Sequence, residues 1–123
     1  IAYVKQGAFS MEETIKVIKN AGGISVLAHP GRYFGEAEKI IEKFYEYRGE
    51  GIETSYPYEK ILGLSNNLND KFKQIAEEKN LLISGGSDFH YFNRGGVLGD
   101  SSISFEDFRK LKEYKRNSEG QTN

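Results

Sequence analysis

Three side chains of this sequence have the types and placing that suit a divalent metal ion: His29, Asp88 and His90. They include both histidines of the chain. Two imidazoles and a carboxylate are donors that zinc, manganese or iron accept. Asp88 and His90 stand two apart, so in extended backbone they point the same way and can clamp one ion or bridge neighbouring ions. Gly85 and Gly86 precede them and let the chain turn sharply into a site. Each residue also has a plainer reading, His29 as an ordinary loop residue and Asp88 as the cap of a turn. Arg32 offers a planar fork to phosphate oxygens, or else a surface salt bridge. Tyr33 and Tyr56 can stack on a base or simply pack. Asn93 and Arg94 reach substrate or serve a plain loop. Glu53 either supports the metal ligands through hydrogen bonds or only ends a strand.

These residues are carried by segments that read as strands. Ile24-Ser25-Val26-Leu27-Ala28 is short, apolar and partly β-branched, and His29-Pro30-Gly31 punctuates the loop after it. Gly51-Ile52-Glu53-Thr54 is a second strand, ended by Pro57. Leu81-Leu82-Ile83-Ser84 is a third, and it runs into Gly85-Gly86-Ser87-Asp88-Phe89-His90.

Helical patterns alternate with the strands. Ser10 and Glu13 have capping-box spacing before Met11, Ile15 and Ile18, and Gly22-Gly23 ends that helix. Ala37, Ile40, Ile41 and Phe44 mark a second helix. Leu64, Leu68, Phe72, Ile75 and Ala76 keep helical spacing through a third, with Asn80 as its C-cap. A last helix spans about Ser104 to Tyr114. The alternation predicts an α/β fold of parallel strands joined by right-handed crossovers. The C-terminal ends of parallel strands converge on one rim, so His29, Asp88 and His90 can meet despite their distance in sequence.

Whole-chain quantities narrow the function classes. The chain has 123 residues, the size of one small domain. It has 17 Lys plus Arg against 18 Asp plus Glu, a net charge of −1. That balance gives no electrostatic case for duplex nucleic-acid or membrane binding. The absence of cysteine excludes disulfides and thiolate metal sites. No apolar run approaches the roughly 20 residues that span a bilayer, and no signal peptide is evident. The expected location is cytoplasmic. The chain opens on Ile1 without an initiator Met, which reads as a piece of a longer protein. Residues 1–115 are expected to form the domain portion, and 116–123, polar and small, a disordered tail.

Ala28-His29-Pro30-Gly31-Arg32-Tyr33 and Gly85-Gly86-Ser87-Asp88-Phe89-His90 resemble the third and fourth metal-binding motifs of the PHP family, the polymerase and histidinol phosphatase type phosphoesterases. The strand ending at Glu53 and the later Leu98-Gly99 fit the same pattern. The resemblance runs from about Ala2 to Tyr114, and it is strongest to small bacterial enzymes acting on nucleoside bisphosphates or short oligonucleotides. It implies the C-terminal portion of a distorted barrel of parallel strands, with two or three divalent ions (Mn2+, Zn2+ or Fe2+) at the strand ends. By resemblance, His29, Asp88 and His90 are metal ligands. Asp88 and His90 also serve catalysis, Asp88 orienting a metal-activated water toward phosphorus. Arg32 and Tyr33 bind the substrate, a small phosphorylated molecule such as a nucleotide. The family's N-terminal His-x-His pair and its further His, Asp and Glu have no counterpart in this sequence, and Tyr91 stands where relatives often have Gly. The chain alone is therefore expected to bind metal weakly, to turn over little, and to self-associate through an exposed sheet edge. A non-catalytic PHP-type module is the alternative expectation, and a chance match from an unrelated barrel is the third.

Overall fold

A computed structural model describes residues 9–65, 67–92 and 96–115. The expected tail from 116 and the loop residues Asn93 and Arg94 lie outside the described residues. Helix α1 spans Met11–Asn20, strand β1 Val26–Leu27, and a 3-10 segment Pro30–Glu36. Helix α2 covers Ala37–Glu46, β2 Gly51–Ser55, α3 Tyr58–Leu62, α4 Asn67–Glu78, β3 Leu82–Gly85 and α5 Phe105–Glu113. The strands form one parallel sheet in the order β1-β2-β3, the α/β arrangement expected from the alternating pattern.

The capping box at α1 is complete. The Ser10 amide donates to Glu13 Oε2 at 2.8 Å, and the Glu13 amide donates to Ser10 Oγ at 3.2 Å. Two of the helix's orphan donors are thereby satisfied. Helix α2 buries Ala37, Ile41 and Phe44, and α4 buries Phe72 and Ala76. These side chains join Leu27, Ile52, Tyr56, Tyr58, Leu81 and Ile83 in one core. Central strand β2 sits in its middle, with α4 packed against it and α5 against β3. Removing such side chains from water is the main favourable contribution to folding.

Three expected elements differ from those observed. The strand expected over Ile24–Ala28 shortens to Val26–Leu27. Its neighbour Ser25 has turned its amide to the side chain of buried Glu50, donating to Oε2 at 2.9 Å, so that N–H is withdrawn from the ladder. The stretch after His29, expected as a loop, winds into the 3-10 segment, where Pro30 presets the first turn. The third helix is preceded by a separate short helix, α3. Gly63 ends α3 at φ 66, a left-handed conformation that glycine adopts without steric cost, and α4 starts afresh at Asn67. Asn80 has φ 53, as expected of a left-handed helix stop. Among the described residues no helix is long and apolar enough to cross a membrane.

Candidate functional site

The chain leaves β1 at His29, β2 at Tyr56 and β3 at Ser87, Asp88 and His90, so one rim receives all of them. Their mutual placement follows from a few contacts. His29 has φ 30 and ψ 61, left-handed backbone that a β-carbon disfavours. The Glu53 carboxylate holds it there, with Oε2 accepting the His29 amide at 2.6 Å. The His29 ring meets the Tyr56 ring edge-on, centroids 5.4 Å apart. Next in the chain, the Gly31 amide donates to the Tyr58 hydroxyl at 2.9 Å.

Tyr56 is the hub of the rim. It is fully buried, with its ring between those of His29 and Tyr58. Its hydroxyl donates to Asp88 Oδ2 at 2.9 Å and accepts from Arg32 Nη1 at 3.1 Å. Its backbone is fixed by Asn69, whose Oδ1 accepts the Tyr56 amide at 3.1 Å and whose Nδ2 donates to the Tyr56 carbonyl at 3.0 Å. The side-chain amide of Asn69 thus stands in for the edge of a neighbouring strand.

The Asp88–His90 pair departs from the extended geometry expected for it. Asp88 has φ 55, so the two residues do not alternate as in a strand. Instead His90 folds back, with Nδ1 2.8 Å from the Asp88 carbonyl and 3.8 Å from Asp88 Oδ1. A carbonyl only accepts, so this bond places a proton on Nδ1, and in the neutral ring the lone pair is then on Nε2. That is the tautomer a metal ligand needs. At His29 the buried Nδ1 has no hydrogen-bond partner among the described residues. An orphan polar atom of this kind costs about 1–3 kcal/mol unless something ligates it. These two features fit a divalent ion, as does the chemistry of the donors. Among the described residues, however, no three His, Cys, Asp or Glu side chains are grouped to hold one. Tyr56 links the His29 side of the rim to the Asp88 side and stands between them.

Burial shapes the electrostatics. Desolvation raises the Glu53 carboxyl above its ordinary range, the His29 amide opposes this, and the Asp88 charge adds to it. Desolvation and the bond to Asp88 likewise raise Tyr56, which stays a phenol. Burial pushes Tyr58 up to about 12. The sum is a rim of two carboxylates countered by one guanidinium. Arg32 keeps 43% of its side chain exposed, with Nη1 3.5 Å from Asp88 Oδ2. Tyr33 is exposed on the 3-10 segment, and no hydrogen bond joins it to the cluster among the described residues. Phe89, within the Asp88–His90 turn, meets Phe92 edge to face, centroids 5.9 Å apart, and both are exposed.

From sequence Tyr56 is expected to stack on a base or simply pack, and nothing local marks Asn69. The one available signal was that Tyr56 follows the same strand as Glu53. Tyr56 also lines a cavity of about 640 Å³, together with Ser55, Lys60, Asn69 and Asp100.

No family model matches the sequence. The chain is 38% identical over 99 residues to a 3′,5′-nucleoside bisphosphate phosphatase of Chromobacterium violaceum, covering 76% of this chain and 32% of that protein. It is 34% identical over 91 residues to the 5′-3′ exoribonuclease Rnm of Escherichia coli, covering 72% of this chain and 29% of that protein. The chain spans about a third of the length of the curated relatives it matches. Among solved structures, a metal-dependent phosphoesterase from Bifidobacterium adolescentis superposes with a TM-score of 0.72 at 23% identity, over 97% of this chain and 41% of that one. An amidohydrolase from Chromobacterium violaceum, solved with bound sulfate and no metal, superposes at 0.63 with 30% identity, over 89% of this chain and 39% of that one.

Proposed function

This chain belongs to the PHP family of phosphoesterases, and from that premise we propose that it supplies part of a metal-dependent site that hydrolyses phosphate esters of nucleotides or short oligonucleotides. The observation that carries this reading is the Tyr56 hub, which ties Arg32 and Asp88 into one network beside His29 at the ends of parallel strands. His29, Asp88 and His90 would hold the divalent ions, with Mn2+, Zn2+ or Fe2+ suited to these donors. When bound, such ions activate water and neutralise phosphoryl charge. The protein's own groups then divide the remaining work. Arg32 presents N–H donors to phosphate oxygens. Asp88 keeps Oδ1 for a ligand or an attacking water while Oδ2 is engaged by Tyr56. Glu53 fixes the His29 backbone. Tyr33, Phe89 and Phe92 offer exposed aromatic surface on which a base can stack.

The test is manganese-dependent release of phosphate from a nucleoside 3′,5′-bisphosphate by the full-length protein, with His29→Ala as the comparison. Turnover in the wild type and its loss in the variant are expected. Undiminished turnover in the variant would remove His29 from the ligand set.

A second reading, a non-catalytic PHP-type module, is favoured by one observation: among the described residues the donors are not grouped as a set of three. It expects no turnover by the full-length protein with manganese, zinc or iron.

A further inference from the structure

We propose that Tyr56 is a positioning residue whose hydroxyl keeps the Arg32–Asp88 ion pair from closing to a direct charged hydrogen bond, leaving guanidinium N–H groups to receive a phosphate. A guanidinium has only donors, so the Tyr56 oxygen must accept from Arg32 at 3.1 Å. Its single proton is then left for Asp88 Oδ2, at 2.9 Å. The order of donation along Arg32, Tyr56 and Asp88 has no alternative. With the oxygen wedged between them, Nη1 and Oδ2 remain 3.5 Å apart. A direct charged hydrogen bond would close to roughly 2.7–2.9 Å.

The wedge is rigid. The Tyr56 peptide is clamped on both its N–H and its C=O by Asn69, and its ring is gripped by His29 and Tyr58. A tyrosine held from three directions does not follow Arg32 or Asp88; they must conform to it. Asp88 therefore keeps its other oxygen on the His90 side. Arg32 keeps 43% of its side chain exposed, so a ligand can reach it from solvent. Without the hydroxyl, the two opposite charges would pair face to face and withdraw the guanidinium from any phosphate.

The kinetic part of this inference rests on the phosphoesterase reading. The variant is Tyr56→Phe, which retains the ring and its packing. In the full-length protein with manganese and a nucleoside 3′,5′-bisphosphate, KM should rise about tenfold while kcat at saturation changes less than about twofold. A role confined to packing would not split the two constants this way. An unchanged KM, or a loss confined to kcat, overturns the proposal. Titration with inorganic phosphate decides it independently of turnover. The variant should bind phosphate about tenfold more weakly, a difference of about 1.4 kcal/mol, and equal affinity overturns the proposal. If the wild type binds phosphate more tightly than the variant yet hydrolyses nothing, the phosphoesterase reading fails and the positioning role stands.

Discussion

The Glu53 carboxylate accepts the backbone amide of His29 at 2.6 Å, anchoring a left-handed histidine with a partly desolvated anion. Asp88 lies close enough to add its charge, and the Glu53 pKa is raised above the ordinary 4.5, chiefly by burial. The folded state thus holds this proton more tightly than the unfolded state. The resulting contribution to stability is fully present below pH 4.5 and is lost as pH rises through the folded value. Glu53→Gln keeps an acceptor for the His29 amide and removes the charge. The variant should gain stability relative to wild type as pH rises above 4.5, and be the more stable protein at neutral pH. Urea denaturation across a pH series checks this; a difference that stays flat with pH counts against it.

Gly31 is required by contact rather than by backbone freedom. A β-carbon there would lie 2.7 Å from Tyr58 Cζ and 3.0 Å from its hydroxyl oxygen. Tyr58 is fully buried and packs against Tyr56 and Phe72, so it has little room to retreat. Gly31→Ala should cost about 1–3 kcal/mol through overpacking. It should also break the Gly31–Tyr58 hydrogen bond and displace the His29 turn. Thermal unfolding measures the first effect. A variant as stable as wild type would mean that the Tyr58 ring moves more easily than its packing suggests.

Local rules made part of this molecule legible. The Ser10–Glu13 spacing announced a capping box because both partners lie within one turn. His29, Asp88 and His90 stood out by residue type at the ends of apolar segments, and the parallel sheet brings those ends to one rim. Two of the departures share a cause: side chains meeting across long stretches of chain. Glu50 captures the Ser25 amide from 25 positions away and shortens β1. Tyr56 joins Arg32 and Asp88 across 24 and 32 positions. No local periodicity encodes such meetings. The expected extended Asp88–His90 pair failed differently, because Asp88 accepts φ 55, a conformation short polar residues tolerate better than most.

Tyr58 should dominate the alkaline end of stability. Burial, opposed by the Gly31 amide and assisted by the charges of Glu53 and Tyr56, pushes its phenol from the ordinary 10 up to about 12. The raised folded value gives a contribution fully present below pH 10 and lost as pH climbs through about 12. An absorbance titration of tyrosinate should therefore show a late-ionising phenol in the native protein, and Tyr58→Phe should abolish that late step. The loss of stability over the same pH interval should be smaller in the variant. Persistence of the late step would assign it to another of the eight tyrosines.

Asn69 should behave as a substitute strand whose two hydrogen bonds can be removed separately. Its Oδ1 accepts the Tyr56 amide and its Nδ2 donates to the Tyr56 carbonyl, an orientation dictated by those backbone partners. Asn69→Ala orphans both groups of a buried residue and should cost about 1–3 kcal/mol. Asn69→Asp keeps the acceptor but, when ionised, aims an oxygen at the Tyr56 carbonyl. Near neutral pH it should be nearly as harmful as the alanine. Once protonated, the new carboxyl supplies an O–H donor in the place of Nδ2; its folded pKa is raised, so the variant should recover stability relative to wild type as pH falls toward about 4, with the recovery complete below it. Each loss should loosen Tyr56 as well, weakening phosphate binding along with stability. Denaturant unfolding at neutral and acidic pH separates these outcomes. If the aspartate variant shows no acid recovery relative to wild type, the Nδ2 bond to the Tyr56 carbonyl does not hold the hub in place.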